Sequence, residues 1–263
     1  MNAVIVRDME PEDEYFVATC THVDESGEID ASSRRRLAWF KEARGRGLRI
    51  KVATLNGERV GFIYVMPVEI CPWGPLGRDL AVFPCLVAHS KVKGRGVGRA
   101  LLAAAEEEAR NQEKKGLATY GYYHDFWFMP AAYFEKLGFA AAARRGERAI
   151  LWKAFDPSAE PPTFPEDKCR LEAAPGKVAV DLFYNTFCLT SDVEAQRVRD
   201  VADEFGKAVV LREYEAGDLA ALRRWGRARG IFVDGEEIFW GYEAPKDGVR
   251  KAISEALSRK RKK

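Results

Sequence analysis

The chain has 263 residues, more than one ordinary domain holds, with 47% hydrophobic and 31% charged side chains, a balance that excludes a mostly disordered chain. A formal net charge of +2 gives no long-range field to draw the whole molecule to nucleic acid or a membrane surface, so neither is expected as a partner. Five scattered cysteines without a CxxC pair exclude a disulfide framework and a zinc site of the usual spacing, leaving reduced thiols, a cytoplasmic location and no metal as expectations.

No apolar leader opens the chain, and no run is long enough to cross a bilayer. AVIVRD (3–8) alternates as a strand, Pro11 to Cys20 reads as a helix, and Ala31 to Gly45, with Leu37, Trp39 and Phe40 among charges, as a second. LRIKVATLNGERVGFIYVMPV folds back at Asn56-Gly57, the strongest short hairpin signal, and AVFPCLVA (81–88) follows as a further strand. VKGRGVGRALL (92–102) then opens a helix, expected over Leu101 to Lys115 with Gly116 as its C-terminal cap. LATYGYY (117–123) is strand-like, a short helix spans Ala132 to Leu137, and a hairpin through FAAAARRGERAILWKAF ends a first domain at residue 155.

Residues 156–176, dense in proline and charge, read as a linker. The second domain, 177–263, begins with the buried-type strand VAVDLFY (178–184), followed by a helix from about Ser191 to Glu204 with Ser191 and Glu194 as a capping box. Then come AVVLRE as a strand, a helix over Asp218 to Arg227, a hairpin of GIFV and EIFWG around Asp234-Gly235, and a terminal helix from about Pro245. That order is the order of a thioredoxin-like domain. The basic tail Ser258 to Lys263 reads as a solvated end.

Gly94, Gly96 and Gly98 alternate at the mouth of a helix, where each glycine is a conformational liability and needs a reason. Backbone N–H groups unshielded by Cβ atoms, added to a helix N-terminus, cradle phosphate. A Walker A loop needs Lys-Ser or Lys-Thr after its last glycine, and here Arg99-Ala100 follow. The GxGxG spacing after several antiparallel-type strands is not the dinucleotide fingerprint either.

Lys93, Gly96 and Gly98 instead resemble the R/Q-x-x-G-x-G/A signature of the GNAT acetyltransferase superfamily, with lysine at its first position. Ala132-Tyr133-Phe134-Glu135-Lys136-Leu137-Gly138-Phe139 is similar to that superfamily's later helix and strand start, so the resemblance covers residues 3–155. The thioredoxin-like tail and EICPWGPLGRDLAVFPCLVA (69–88) narrow it to the YoaP-type group. The fold class implied is α/β (α+β): a GNAT acyl-CoA N-acyltransferase fold followed by a smaller thioredoxin-like domain. The activity implied is acetyl transfer from acetyl-CoA to an amine of a small molecule or a protein.

The same resemblance places the CoA pyrophosphate on the amides of Arg95, Gly96, Val97, Gly98 and Arg99, with Gly94 in the turn and Lys93 and Arg95 adding charge. The pantetheine arm would run along Leu86-Val87-Ala88, one main-chain N–H of which polarises the thioester carbonyl. Direct attack by the amine needs a base for the ammonium proton and an acid for the departing thiolate. Phe134 occupies the place of the superfamily's usual acid tyrosine, which leaves Tyr133, Tyr122, Tyr123, Cys85 or solvent for that role. His124 with Asp125, Glu69 and Asp79 are candidate bases, histidine because it titrates near neutrality. His89 goes with phosphate or with structure, and the acceptor groove is expected over Glu25 to Asp30 and Cys71 to Asp79.

In the tail, Cys188 stands where a thioredoxin nucleophile would, Ser191 replaces the resolving partner, and Arg229-Gly230 lie where a cis-proline is usual. A structural or substrate-shaping role is therefore expected of this domain. Two rival readings stay open at this point, a CoA-binding sensor or adaptor without turnover and a monothiol redox protein centred on Cys188.

Overall fold

A computed structural model of the chain describes residues 3–20, 22, 26–124 and 128–261. Its first unit is built on one sheet, in the strand order β1-β2-β3-β4-β6-β8-β7, with β5 paired to β3 off that path. β1 (Ile5–Asp8) pairs with β2 (Arg49–Leu55), which turns into β3 (Glu58–Pro67) through Asn56 and Gly57 at φ 56° and 80°, the left-handed pair a two-residue hairpin demands. The helix expected over Pro11 to Cys20 is shorter: one 3-10 turn, then α1 (Glu14–Ala18). α2 (Gly27–Gly45) starts earlier than its apolar pattern suggests, because the Ser26 side chain accepts the Ile29 N–H at 3.2 Å and caps it.

The apolar stretch 81–88 is two strands, not one. β4 (Leu80–Val82) runs parallel to β6 (Gly116–Tyr122), whereas β5 (Leu86–Ala88) pairs antiparallel with β3 alone. Pro84, which has no N–H for a ladder, stands between them. α3 (Val97–Asn111) lays Leu101, Leu102, Ala105 and Ala109 into the core and ends at Gln112. Gly116 is therefore no helix cap; it opens β6, where a Cβ would lie 2.9 Å from the Lys153 carbonyl oxygen. α4 (Ala131–Glu135), β7 (Ala140–Arg145) and β8 (Arg148–Ala154) complete the unit.

The linker segment 156–176 is mostly exposed but packs on the first unit at its middle. Leu76 and Thr163 exchange two backbone hydrogen bonds of 2.9 Å, and Phe164 stacks on Tyr120 with ring centroids 5.7 Å apart. Its prolines left no periodic apolar signal to announce that packing.

The second unit comprises β9 (Val178–Tyr184), α5 (Leu189–Glu204), β10 (Val209–Glu215), α6 (Leu219–Trp225), β11 (Gly230–Val233), β12 (Glu236–Ile238) and α7 (Lys246–Arg261). Its strands lie in the order β10-β9-β11-β12, with β10 parallel to β9 and the other pairs antiparallel. No capping box forms at Ser191: Cys188 is the N-cap residue, the Ser191 hydroxyl accepts the Asn185 N–H at 3.0 Å, and Glu194 is drawn to Arg229 at 2.6 Å. The basic tail is helical through Arg261, with Lys260 on Asp234 at 3.1 Å and Arg259 on Glu236 at 3.3 Å. Lys262 and Lys263 lie outside the described residues.

α5 docks on α2. Arg35 grips the buried Asp192 carboxylate through two nitrogens at 2.9 and 2.6 Å, and Arg197 grips Glu28 at 2.8 and 2.6 Å. Phe187, at the start of that helix, sinks into the first unit with its ring 5.0 Å from Tyr64 and 5.4 Å from Trp39. Beside it Arg36, 1% exposed, donates to the Phe187 carbonyl at 2.7 Å, to Tyr64 Oη at 3.0 Å and to the Ala18 carbonyl. A buried guanidinium so supplied with acceptors avoids the penalty of an unpaired buried charge. Among the described residues, no helix is long and apolar enough to cross a membrane.

Candidate functional site

The glycine-rich loop begins with a 3-10 turn over Ser90–Val92, in which Lys93 N–H returns to the Ser90 carbonyl at 3.1 Å. Gly94 and Gly96 both adopt left-handed backbone, at φ 80° and 81°, and a Cβ on either would meet nothing within 4 Å. Conformation, not crowding, is what demands glycine there, since an L side chain in that region costs about 1–2 kcal/mol. The open space beside both backbones leaves room for a ligand to approach.

Gly96 caps α3, whose first helical bond runs from Ala100 N–H to the Gly96 carbonyl at 3.0 Å. The amides of Val97, Gly98 and Arg99 precede that bond, so none has an acceptor within the helix. The Arg95 amide, expected in the cradle, closes the turn on Val92 O at 3.1 Å instead. Lys93, Arg95 and Arg99 are exposed around this mouth, three cations beside free N–H groups.

Over the same turn hangs a tyrosine hydroxyl. A Cβ on Gly98 would lie 2.7 Å from Tyr133 Oη, so Tyr133, and not Phe134, reaches the start of α3. Phe134 is 1% exposed and packs on Phe83 and Phe139 at centroid distances of 5.4 and 6.1 Å. Burial pushes the Tyr133 hydroxyl above its ordinary pKa, against the pull of Arg99, so it remains a proton donor at neutral pH.

The second wall is β5. Ile63, Phe62 and Gly61 pair with Leu86, Val87 and Ala88, and His89 N–H continues the ladder onto Val60 O at 2.9 Å. β4 next to it pairs with β6, so the sheet splays at Pro84-Cys85, and the outer edge of β5 pairs with no strand among the described residues. A Cβ on Gly61 would sit 2.4 Å from the Val87 carbonyl oxygen, so this close approach of two backbones admits only glycine. Sequence reasoning passed over Gly61, although an isolated glycine in the strand VGFIYV is the usual sign of such an approach.

The candidate bases are not gathered at this mouth. Glu69 lies 4.0 Å from Lys114 and Asp79 lies 3.4 Å from Lys115, at the opposite end of α3. A helix of that length puts them about 20 Å from the cradle. Both therefore stand apart from the glycine-rich mouth, beside the last turn of α3. His124 stacks on Tyr122, centroids 5.2 Å apart, and is exposed, while Asp125 lies outside the described residues. Glu25, at one end of the expected acceptor groove, is also outside them.

His89 packs against Phe16 at 5.4 Å, and burial with nearby Lys91 pushes its pKa down, which places it with structure. Tyr123 donates to Glu135 and carries Arg144 over its ring at 4.2 Å. The Tyr122 hydroxyl is pushed up by burial against the pull of Arg148, and Arg229 and Cys188 of the second unit also act on it. No three histidine, cysteine, aspartate or glutamate side chains among the described residues are placed to hold a metal ion.

Residues 46–141, which contain β2 to α4, match the acetyltransferase (GNAT) domain family. No curated protein matches the chain. Solved structures similar to it include YncA of Salmonella typhimurium with acetyl-CoA, 21% identical over 64% of this chain and 100% of that one, TM-score 0.45. The PaiA N-acetyltransferase of Thermoplasma acidophilum in complex with coenzyme A is 15% identical over 58% of this chain and 99% of that one, TM-score 0.43. A GNAT family acetyltransferase of Brucella melitensis in complex with acetyl-CoA is 18% identical over 62% and 94%, TM-score 0.42.

Proposed function

We propose that the protein transfers the acetyl group of acetyl-CoA to an amine of a small molecule or protein by direct attack. One observation carries this reading: within the segment that matches the acetyltransferase family, left-handed Gly94 and Gly96 open α3 beside a strand, β5, whose outer edge pairs with no strand among the described residues. The amides of Gly96, Val97, Gly98 and Arg99 would hold the pyrophosphate, with Lys93, Arg95 and Arg99 supplying opposite charge. Leu86, Val87 and Ala88 would align the pantetheine arm through backbone groups, and an N–H on this edge would polarise the thioester carbonyl.

Tyr133 is the proton donor this reading assigns to the leaving thiolate, because its hydroxyl overhangs the first turn of α3. That placement favours turnover over a binding-only sensor. His124 is the described base candidate just past the end of β6, stacked on Tyr122. The second unit, whose βαβαββα order resembles a thioredoxin-like domain, covers the end of the first unit next to Cys85 and shapes the acceptor side.

Calorimetry with acetyl-CoA, followed by detection of free CoA thiol against a panel of amines, tests the reading. Micromolar binding with thiol release by at least one amine is expected; absence of any heat with both acetyl-CoA and CoA would overturn it. The Tyr133→Phe variant should lower kcat by about 10- to 100-fold while leaving the acetyl-CoA Kd unchanged.

A further inference from the structure

Three of the five cysteines, far apart in sequence at 20, 85 and 188, pack against one hydrophobic cluster where the two units meet. The Arg36 side chain and the Tyr64 backbone tie their segments to this cluster. Arg36 donates to the carbonyls of Val17, Ala18 and Phe187, just ahead of Cys20 and Cys188, and the Tyr64 N–H reaches the Cys85 carbonyl at 3.5 Å. The thiols of Cys20 and Cys85 lie within hydrogen-bond reach of each other, and that contact together with burial pushes the Cys85 thiol up.

Each of the three is half-buried, so a small solute reaches it. Cys71 differs: it is buried and donates to the Gly74 carbonyl at 3.4 Å. Cys20 has a second peculiarity, a left-handed backbone at φ 58°, uncommon for a residue with a Cβ and characteristic of positions the surrounding structure holds for a purpose. That turn follows the end of α1, and its thiol meets Cys85, which directly precedes β5.

We propose that Cys20 and Cys85 form an oxidation site, closing to a disulfide when the protein meets hydrogen peroxide. One sulfur attacks the O–O bond and becomes a sulfenic acid, releasing a first water; the other displaces the sulfenic hydroxyl as a second water and forms the S–S bond. Two thiols lose two electrons and two protons in all, and one peroxide is reduced to two waters. Cys188 remains a thiol beside the new bond, with its sulfur accepting the Ser191 N–H at the start of α5. The site does not depend on acetyl transfer, and its chemistry is read without acetyl-CoA.

The test is thiol counting on the full chain. Protein treated with hydrogen peroxide, quenched and denatured should show three free thiols in place of five, and five again after dithiothreitol. Peptide mapping without reductant should find Cys20 joined to Cys85. C20S and C85S should each keep all their remaining thiols under the same treatment, while C71S should still lose two. Five surviving thiols, a crosslink mapped to any other pair or between chains, or loss of two thiols from C20S would each overturn the proposal.

Discussion

Asp13 shows how one side chain holds three segments together. It is fully buried, and burial pushes its carboxyl up, but hydrogen bonds from Arg7, Arg59 and the Glu10 amide outweigh that and hold it at about 2. A folded-state pKa below the ordinary aspartate value near 4 stabilises the fold above pH 4, and that contribution is lost as the pH falls toward 2. The Asp13→Asn variant should therefore be less stable than wild type by about 2 kcal/mol at pH 6, and the gap should close near pH 2, as denaturant titrations at several pH values will read. Gly96→Ala belongs to the same scale: its positive φ predicts a stability loss of about 1 kcal/mol and an acetyl-CoA Kd raised about tenfold by calorimetry.

Individual elements differ in how openly the sequence announces them. The Asn56-Gly57 hairpin and the glycines before α3 are local conformational demands written in the residues themselves, and both are where the pattern puts them. The division of 81–88 into β4 and β5 is not local, because it depends on which neighbour each half pairs with, and Pro84 alone hinted at it. Tyr133 and Phe134 face different ways for a similar reason: the motif assigns positions along the chain, while the packing of Phe134 on Phe83 decides which ring faces inward. Glu69 and Asp79 were chosen for closeness in sequence to the splayed strand, and the length of α3 carries their lysine partners away. Gly61→Ala tests the β3–β5 approach: the new methyl group meets Val87 O, so a loss of about 1–3 kcal/mol in stability and weaker acetyl-CoA binding are expected in thermal melts and calorimetry.

For the whole molecule, the joint between the units is made of charge and aromatic surface in series. Asp192 is nearly fully buried and Arg35 only partly, so Arg35→Ala leaves a buried carboxylate without its bidentate partner. Calorimetric melting should then fall by several degrees and separate into two transitions, where the wild type shows one. Neither half of the joint was legible beforehand: α2 reads as an ordinary charged helix, and Arg35, Arg36 and Asp192 acquire their meaning from residues more than a hundred positions away.

Phe187 carries a consequence for the order of manufacture. Its ring completes an aromatic socket formed by Trp39, Phe40 and Tyr64, yet it leaves the ribosome well over a hundred residues after them. A nascent chain therefore emerges with an oily notch that only its own later portion fills, and a product released early, at the end of β8, would present that notch to chaperones and proteases for its whole lifetime.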